Sequence, residues 1–111
     1  METGGGGVHF STANARNWEP ALDVGGSNHM LFDHGKTMAG LWKADPGAAG
    51  GPVEVEIPAR ETILVLEGSV RVTIDGGEPR ALRAGDMLSI PERSLVGWDP
   101  DPDCMVFWVY S

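Results

Sequence analysis

The chain is most constrained by its short apolar segments and by the turn residues that separate them. From residue 28 onward, apolar runs of about four to eight residues end at Gly, Pro or Asp. Apolar side chains occupy every second position of Val53–Ile57 and of 70–74, as in strands with one buried face. The only helix candidate, residues 13–22, contains Pro20 and has a thin apolar stripe, so a loop or single turn is expected there. The pattern predicts an all-β fold.

We expect about nine short strands at close spacing, which favours an antiparallel barrel or sandwich over alternating strands and helices. They are residues 29–32, 36–44, 53–57, 62–66, 70–74, 79–83, 87–90, 95–98 and 104–110. Asp75-Gly76-Gly77 is a hairpin signal, because such residues tolerate positive backbone φ, and residues 33–35 are expected to form another turn. Residues 46–52 are predicted to form a wide loop. With 111 residues there is room for one domain, predicted over 28–111 after an N-terminal arm, 1–27, that is mostly loop.

The charge balance limits the classes of partner. Eight Lys and Arg against sixteen Asp and Glu give a net charge of −8, which repels phosphate backbones and anionic lipids. We therefore expect neither nucleic acid nor a membrane surface as partner. The first residues lack the basic and apolar segments of a signal peptide, and no apolar run approaches the length of a bilayer span. Cys104 is the only cysteine, which excludes an internal disulfide and favours a cytoplasmic location.

Two spacings of glycine, glutamate and proline resemble a known pattern. Glu61 is followed after six residues by Gly68, and Gly85 is followed after five residues by Pro91. These match the end of the first cupin motif and the start of the second. Glycine allows sharp turns between barrel strands, and proline fits where a strand begins or ends without a donor. The chain therefore resembles a single-domain cupin, which implies an antiparallel cupin-type β-barrel, or jelly roll.

The resemblance is closest to small cupins related to (S)-ureidoglycine aminohydrolase and to the ethanolamine-utilisation cupins. The matching elements, in order, are Gly40 with Trp42, Pro46-Gly47, Pro58 with Glu61, Leu66-Glu67-Gly68, Ala84-Gly85-Asp86, Ile90-Pro91 and Trp98. The resemblance as a whole spans about residues 38–110. The resemblance implies a homodimer, since small cupins usually associate by pairing strand edges or packing sheets, and the apolar last strand, 104–110, is a candidate contributor. It also places Trp42 and Trp98 near the pocket, where we expect them as substrate-binding walls.

The positions of the cupin metal ligands are changed in this chain. Metal-binding cupins place two His and one Glu in the first motif and a further His in the second. Counted back from Glu61, the two first His positions fall on Glu54 and Glu56, and the later one falls on Val96. Arg93 stands where a glycine usually follows the proline by two. We therefore predict no metal site of the usual kind and no cofactor. The alternative is a divalent metal such as Mn or Zn held by the three glutamates.

The three glutamates have two interpretations. In the favoured one, Glu54 and Glu56 lie on a solvated strand face and Glu61 pairs with an arginine. In the other, all three converge in an apolar barrel, where repulsion and desolvation raise at least one pKa and make proton transfer possible. Glu61 and Glu56 are then the candidate catalytic residues, and Glu54 is a candidate substrate-binding residue.

The histidines and the remaining motifs carry no predicted site. His29 and His34 are five positions apart and would face opposite sides of one continuous strand, so we interpret them, like His9, as surface or packed residues. The aspartates at 99, 101 and 103 lack the glycine and glutamate of a calcium loop and indicate a solvated loop. Cys104 begins an apolar strand, where a thiol is usually inert. One of Phe107 and Trp108 must point inward.

Three functions from different classes follow. The first is a cupin that binds a small organic metabolite in its barrel without the usual three-His metal site. The second is a lyase, isomerase or hydrolase that uses barrel carboxylates, with or without a divalent metal. The third is a non-catalytic structural or interaction protein whose barrel is filled by its own side chains.

Overall fold

The computed structural model describes residues 7–45 and 52–111. Within these ranges the chain forms ten strands and no helix. The strands are β1 (Glu19–Pro20), β2 (Ser27–His34), β3 (Thr37–Lys43), β4 (Val53–Glu56), β5 (Glu61–Glu67), β6 (Ser69–Ile74), β7 (Arg80–Arg83), β8 (Met87–Ile90), β9 (Leu95–Pro100) and β10 (Met105–Tyr110). The described ranges therefore hold no helix long and apolar enough to cross a membrane. Most of the wide loop predicted over 46–52, including Pro46-Gly47, lies outside the described residues.

The strands form two antiparallel sheets that face each other across an apolar core. The large sheet has the order β1-β2-β3-β10-β5-β8, and the small sheet has the order β4-β9-β6-β7. Buried side chains of both sheets meet in one cluster, with Val65 and Val106 from the large sheet and Val70 and Val96 from the small one. The predicted all-β antiparallel fold is confirmed. β1 lies in the predicted N-terminal arm, so part of that arm joins the large sheet.

Strand alternation sets which residues enter the core. Val70 and Val72 on β6 are buried, and Ile74 packs against the same cluster, as predicted. The hairpin after β6 is also confirmed, since Asp75 and Gly76 have φ of 50° and 71°. Removing such apolar side chains from water contributes roughly 25 cal/mol per Å², and this drives the two sheets together.

Gly68 passes the chain from one sheet to the other. It follows β5 in the large sheet and precedes β6 in the small sheet, with φ of 67°. A Cβ at this position would lie 2.9 Å from both the Asp103 carbonyl carbon and the Cys104 nitrogen. Glycine is therefore required here both for its backbone conformation and for the close approach of the next chain segment.

Two segments differ from the sequence prediction. Pairing between β2 and β3 continues to His34 and Thr37, so the turn lies at residues 35–36 rather than 33–35. β9 extends to Pro100, so the aspartate segment expected as a solvated loop begins within a strand. The reason lies in the neighbouring strand, because Asp99 is opposite Arg71 and its carboxylate accepts a 2.5 Å hydrogen bond from the guanidinium.

β10 lies in the interior of the large sheet, with β3 on one side and β5 on the other. Both edges of this strand are therefore already hydrogen-bonded, so of the two modes of association expected for small cupins, strand-edge pairing is closed to β10. Packing through the sheet face stays open to this strand.

The N-terminal segment covers part of the outer face of the large sheet. His29 is buried opposite Leu41, and its Nδ1 donates to the Asn17 carbonyl at 3.0 Å. The Ser11 hydroxyl contacts the other ring nitrogen. Trp18 lies in the same region, with the Lys43 Nζ 4.3 Å from the centroid of its ring. His29 is thus a packed histidine, in agreement with its interpretation from sequence.

Candidate functional site

A cavity of about 290 Å³ lies between the two sheets. Its lining contains four aromatic side chains, four carboxylates, one amide and a larger set of apolar residues. They are Trp42, Trp98, Trp108, Tyr110; Asp23, Asp33, Glu56, Glu61; Asn28; and Val24, Met30, Met38, Val55, Ile57, Pro58, Ile63, Val96, Val106. An apolar cavity with a few polar groups is the usual form of a small-molecule site.

Strand register explains why Glu61 reaches this cavity. Tyr110 on β10 is directly opposite Glu61 on β5 and also opposite Met38 on β3. Met38 is in turn opposite Asp33 on β2. Direct partners on neighbouring strands project to the same face, with Cβ atoms about 5 Å apart. Four adjacent strands therefore present Asp33, Met38, Tyr110 and Glu61 to the cavity in one row.

The tryptophans form the walls further along the strands. Trp42 of the large sheet contacts Trp98 of the small sheet edge to face, with ring centroids 5.6 Å apart and an interplanar angle of 80°. Trp108 lies opposite Gly40 on β3. A Cβ at Gly40 would lie 2.7 Å from the His29 carbonyl oxygen, so this position needs a glycine. The structure places Trp42, Trp98 and Trp108 in the lining, and of the pair in β10 it is Trp108 that is buried.

Glu61 has a perturbed acidity. Burial raises its pKa from 4.5 to about 7, and the negative charge of Asp23 adds to the shift. Burial also raises the pKa of Tyr110, with further contributions from Glu61 and then Asp23. Near neutral pH, Glu61 therefore exists in both its protonated and its ionised form, beside a phenol that stays protonated.

The predicted ion pair between Glu61 and an arginine is not formed. The salt bridge within the described part of the chain joins Arg71 to Asp99, between β6 and β9. Arg60, next to Glu61 in sequence, donates instead to the Ser89 hydroxyl at 2.9 Å. Strand alternation explains this, because consecutive residues project to opposite faces of a sheet.

The three glutamates do not converge. Glu56 and Glu61 belong to the cavity lining, whereas Glu54 is exposed and lies outside it. The physical reason is the alternation of β4, whose apolar residues Val53 and Val55 pack against the core. Glu54 therefore points away from the core, and the hypothesis that it binds substrate in the cavity is not supported. Glu56 shares the exposed face of Glu54, as the solvated-face interpretation expects, but at the end of the strand its side chain reaches the cavity lining.

The residues in this part of the cavity do not fit a transition-metal ion. The inward-facing side chains of this region are Val55 and Ile57, with Val96 directly opposite Val55 on β9. The expected ligand positions on this strand were residues 54 and 56. The residues that follow each of them, Val55 and Ile57, are the ones that share the cavity lining with Glu61. Among residues 7–45 and 52–111, no group of three His, Cys, Asp or Glu side chains is arranged to hold a metal. The chemistry available here is that of carboxyl and phenol groups.

The sequence prediction missed Asp23, Asn28, Asp33 and Tyr110. Tyr110 had a usable signal, because it lies two positions from the inward-facing Trp108. Asp33 had been assigned to a turn that in fact begins later.

Asp23 had no sequence signal, because its position depends on a contact between segments distant in sequence. It lies in the loop from Ala21 to Gly26, which is closed by a 2.9 Å hydrogen bond from Ala21 N to the Gly26 carbonyl. The indole nitrogen of Trp42 donates to the Gly25 carbonyl at 2.8 Å and fastens this loop to the cavity wall.

Arg93 adopts the backbone conformation of the glycine that it replaces. Its φ is 68°, which L-residues with a Cβ rarely adopt. Its amide donates to the Ile57 carbonyl at 2.8 Å. This hydrogen bond ties the connection between β8 and β9, which contains Arg93, to the segment that follows β4.

Comparison with protein-family models gives one match, over more than half of the chain. The model described as the EutQ-like cupin domain matches residues 32–101. No curated protein matches the chain at a significant level.

Solved structures with the same fold cover nearly the whole chain. A protein described as ethanolamine utilization protein Q (EutQ) from Salmonella typhimurium LT2 has a TM-score of 0.76 and 22% identity, covering 98% of this chain and 89% of that one. An RmlC-like cupin from Shewanella frigidimarina NCIMB 400 has a TM-score of 0.73 and 24% identity, covering 95% and 91%. KdgF from Halomonas sp. has a TM-score of 0.68 and 25% identity, covering 92% and 91%. The predicted jelly-roll barrel is confirmed by these likenesses.

Proposed function

The chain belongs to the EutQ-like cupin family, and from this premise we propose that its barrel binds a small organic molecule, with Glu61 as the polar anchor. The observation that carries the proposal is a cavity of about 290 Å³ with aromatic and aliphatic walls, into which one carboxyl group of shifted pKa projects. Pockets for small ligands usually combine such walls with a few fixed polar groups. Nothing in this proposal requires a three-His metal site.

Each part of the lining has a role in binding. Trp42 and Trp98 provide apolar surface, whose removal from water favours association. Glu61 and its neighbour Tyr110 provide the directional contacts. Because the pKa of Glu61 is about 7, its carboxyl group can accept a hydrogen bond when ionised and donate one when protonated.

The proposal is tested by thermal unfolding with a panel of polar metabolites. A ligand that binds only the folded state raises the melting temperature by mass action. We expect at least one metabolite to raise the melting temperature of the wild type and of Glu54→Gln, the exposed control, but not that of Glu61→Gln. An unchanged response in Glu61→Gln would place the ligand elsewhere, and no response to any metabolite would favour a structural or interaction role.

A second candidate function is acid–base catalysis of the lyase, isomerase or hydrolase type. The raised pKa of Glu61 beside Tyr110 favours it, because a general acid or base works best with a pKa near the operating pH. Turnover of a bound metabolite, followed by NMR, should then depend on pH with a midpoint near 7. We expect Glu61→Gln to lower the rate by about 10²- to 10⁴-fold.

A metal-assisted form of this reaction predicts a different result. Stoichiometric manganese or zinc in the purified protein, together with a lower melting temperature after addition of a chelator, would support it. The aliphatic side chains of Val55, Ile57 and Val96 around Glu61 argue for the metal-free form.

A further inference from the structure

The charges around the cavity are all of one sign. Asp23, Asp33, Glu56 and Glu61 lie in its lining, whereas none of the lining residues in the described part of the chain is Lys, Arg or His. An anionic ligand would meet only repulsion there. Glu61 is the one of the four that is not exposed to solvent, so its ionised form lacks a charged partner when the ligand is neutral, whereas a cation would supply one. The exposed Asp23, Asp33 and Glu56 add attraction for a cation at longer range.

The walls of the cavity are also suited to a cation. Four of the lining residues are aromatic, Trp42, Trp98, Trp108 and Tyr110, and the negative face of an aromatic ring attracts cationic groups, most strongly for Trp. Such attraction strengthens binding by about two- to thirtyfold, with the larger factors for desolvated sites. Carboxylates combined with aromatic walls are the arrangement that recognises ammonium groups with apolar substituents.

A bare metal ion fits this cavity less well than an organic cation. The carboxylates come from separate elements, with Asp23 on a loop, Asp33 on β2, Glu56 at the end of β4 and Glu61 on β5. In the described ranges they do not form a group that could surround one ion. The aliphatic neighbours of Glu61 offer no ligand atoms, but they can contact methyl or methylene groups.

We propose that this cavity takes a small organic ammonium ion. The cationic group lies at the row that holds Glu61 and Tyr110, beside the Trp108 ring, whose centroid is 5.1 Å from that of Tyr110. The apolar substituents of the ligand lie against Trp42 and Trp98. This inference rests on the ligand site proposed above and adds the chemical class of the ligand. The net charge of −8 also favours the approach of a cation through solution.

Three probes of similar size and different charge test the proposal. They are choline, its neutral isostere 3,3-dimethyl-1-butanol and its anionic counterpart 3,3-dimethylbutanoate. Dissociation constants are measured by isothermal titration calorimetry, and the location of binding is read from the indole N–H signals in NMR. Trp42, Trp98 and Trp108 report on the cavity, and Trp18, on the outer face of the large sheet, is the internal control.

At about pH 8 we expect choline to bind about tenfold more tightly than the alcohol, and the carboxylate to bind least. Binding of choline should shift the N–H signals of Trp42, Trp98 and Trp108 and leave that of Trp18 unchanged. Glu61→Gln should reduce the preference for choline to about threefold or less, since its amide is neutral. Asp33→Asn should reduce it by a smaller factor, and Glu54→Gln should leave it unchanged.

The preference for choline over the neutral alcohol should also depend on pH, because choline keeps its charge at every pH whereas Glu61 does not. Asp23 and Tyr110 face Glu61, and Asp33 and Glu56 share the same cavity. With a pKa of about 7 for Glu61, the preference for choline should fall as the pH is lowered below neutrality. Glu61→Gln should remove most of this dependence.

The outcomes separate the two proposals. If the alcohol or the carboxylate binds as tightly as choline and moves the cavity indoles, the cavity is a ligand site but the inference of a cation is wrong. If none of the three probes shifts the cavity indole signals at millimolar concentration, the inference of a cation is wrong, and the metabolite panel decides separately on the proposed ligand site. A shift of the Trp18 signal alone would likewise overturn the inference of a cation in this cavity.

Discussion

Glu61 connects the acidity of one residue to the stability of the whole fold. Its pKa is 4.5 in the unfolded reference and about 7 in the folded protein, so the folded state binds the proton more tightly. The stabilisation from this proton is complete below pH 4.5 and is lost as the pH rises to about 7. The loss is of the order of 3 kcal/mol, because one pKa unit corresponds to about 1.4 kcal/mol.

We therefore predict that the free energy of unfolding of the wild type falls between pH 5 and pH 8, as measured by urea denaturation at a series of pH values. Glu61→Gln should lack most of this decrease and should be the more stable protein at the alkaline end. Glu54→Gln, which replaces an exposed carboxylate on β4, should retain the wild-type dependence. Equal pH profiles for Glu61→Gln and the wild type would show that Glu61 is not desolvated.

Arg93 permits a test of backbone strain at a single residue. Its φ of 68° costs an L-residue about 1–2 kcal/mol, whereas glycine adopts it freely but loses more entropy on folding. We predict that Arg93→Gly is more stable than Arg93→Ala by about 0.5–1 kcal/mol in urea denaturation. The alanine variant keeps the strain and is the matched control for loss of the side chain, so equal stability of the two would contradict the argument.

At the residue scale, the sequence predicts the apolar side of the site better than its polar side. The inward valines of β4 and β6 follow from alternation, and Trp42 and Trp98 follow from the family resemblance. The contribution of Asp23 does not follow, because its loop is held by a hydrogen bond to Trp42, twenty or so residues away. The sequence left open which arginine would pair with Glu61, and Arg60 could have been excluded, since consecutive residues of an extended chain face opposite ways.

At the scale of elements, the turns show which glycines are required by packing. Gly68 and Gly76 both have positive φ, 67° and 71°. A Cβ at Gly68 would lie within 3 Å of backbone atoms of Asp103 and Cys104, whereas a Cβ at Gly76 meets nothing within 4 Å.

We predict that Gly76→Ala lowers the free energy of unfolding by about 1 kcal/mol, the cost of the backbone conformation alone. Gly68→Ala should lower it by about 3 kcal/mol or more, because the chain crossing between the sheets must also move. Chemical denaturation of the two variants measures both values. Similar losses would mean that the crossing is loosely packed.

The ends of a strand can be predicted from sequence where turn-forming residues such as Gly, Asp or Pro flank it. β8 was predicted to the residue, because Ala84-Gly85-Asp86 and Pro91 bound it on both sides. β9 was predicted too short, because its last residues are held by a partner that no local pattern reveals, the pairing of Asp99 with Arg71. Local turn signals can be read from the chain, but cross-strand partners cannot.

At the scale of the whole molecule, the order of strands limits how two copies of the chain can associate. β10 has a neighbour on each side, so a dimer has to use another strand edge or a sheet face. We propose that the protein is a homodimer, as small cupins usually are. Light scattering coupled to size-exclusion chromatography should then give twice the chain mass of 11.8 kDa, and a mass of one chain over the accessible concentration range would contradict this proposal.

Trp42 both lines the cavity and holds the loop that carries Asp23. Its ring forms part of the wall that a guest molecule would touch, and its nitrogen tethers the loop that carries Asp23. A bound ligand that tilts the indole would strain the hydrogen bond from Trp42 to the Gly25 carbonyl, and displacement of the loop would allow the indole to tilt. The position of the Asp23 carboxylate relative to a bound guest is therefore set by the same indole that the guest would touch.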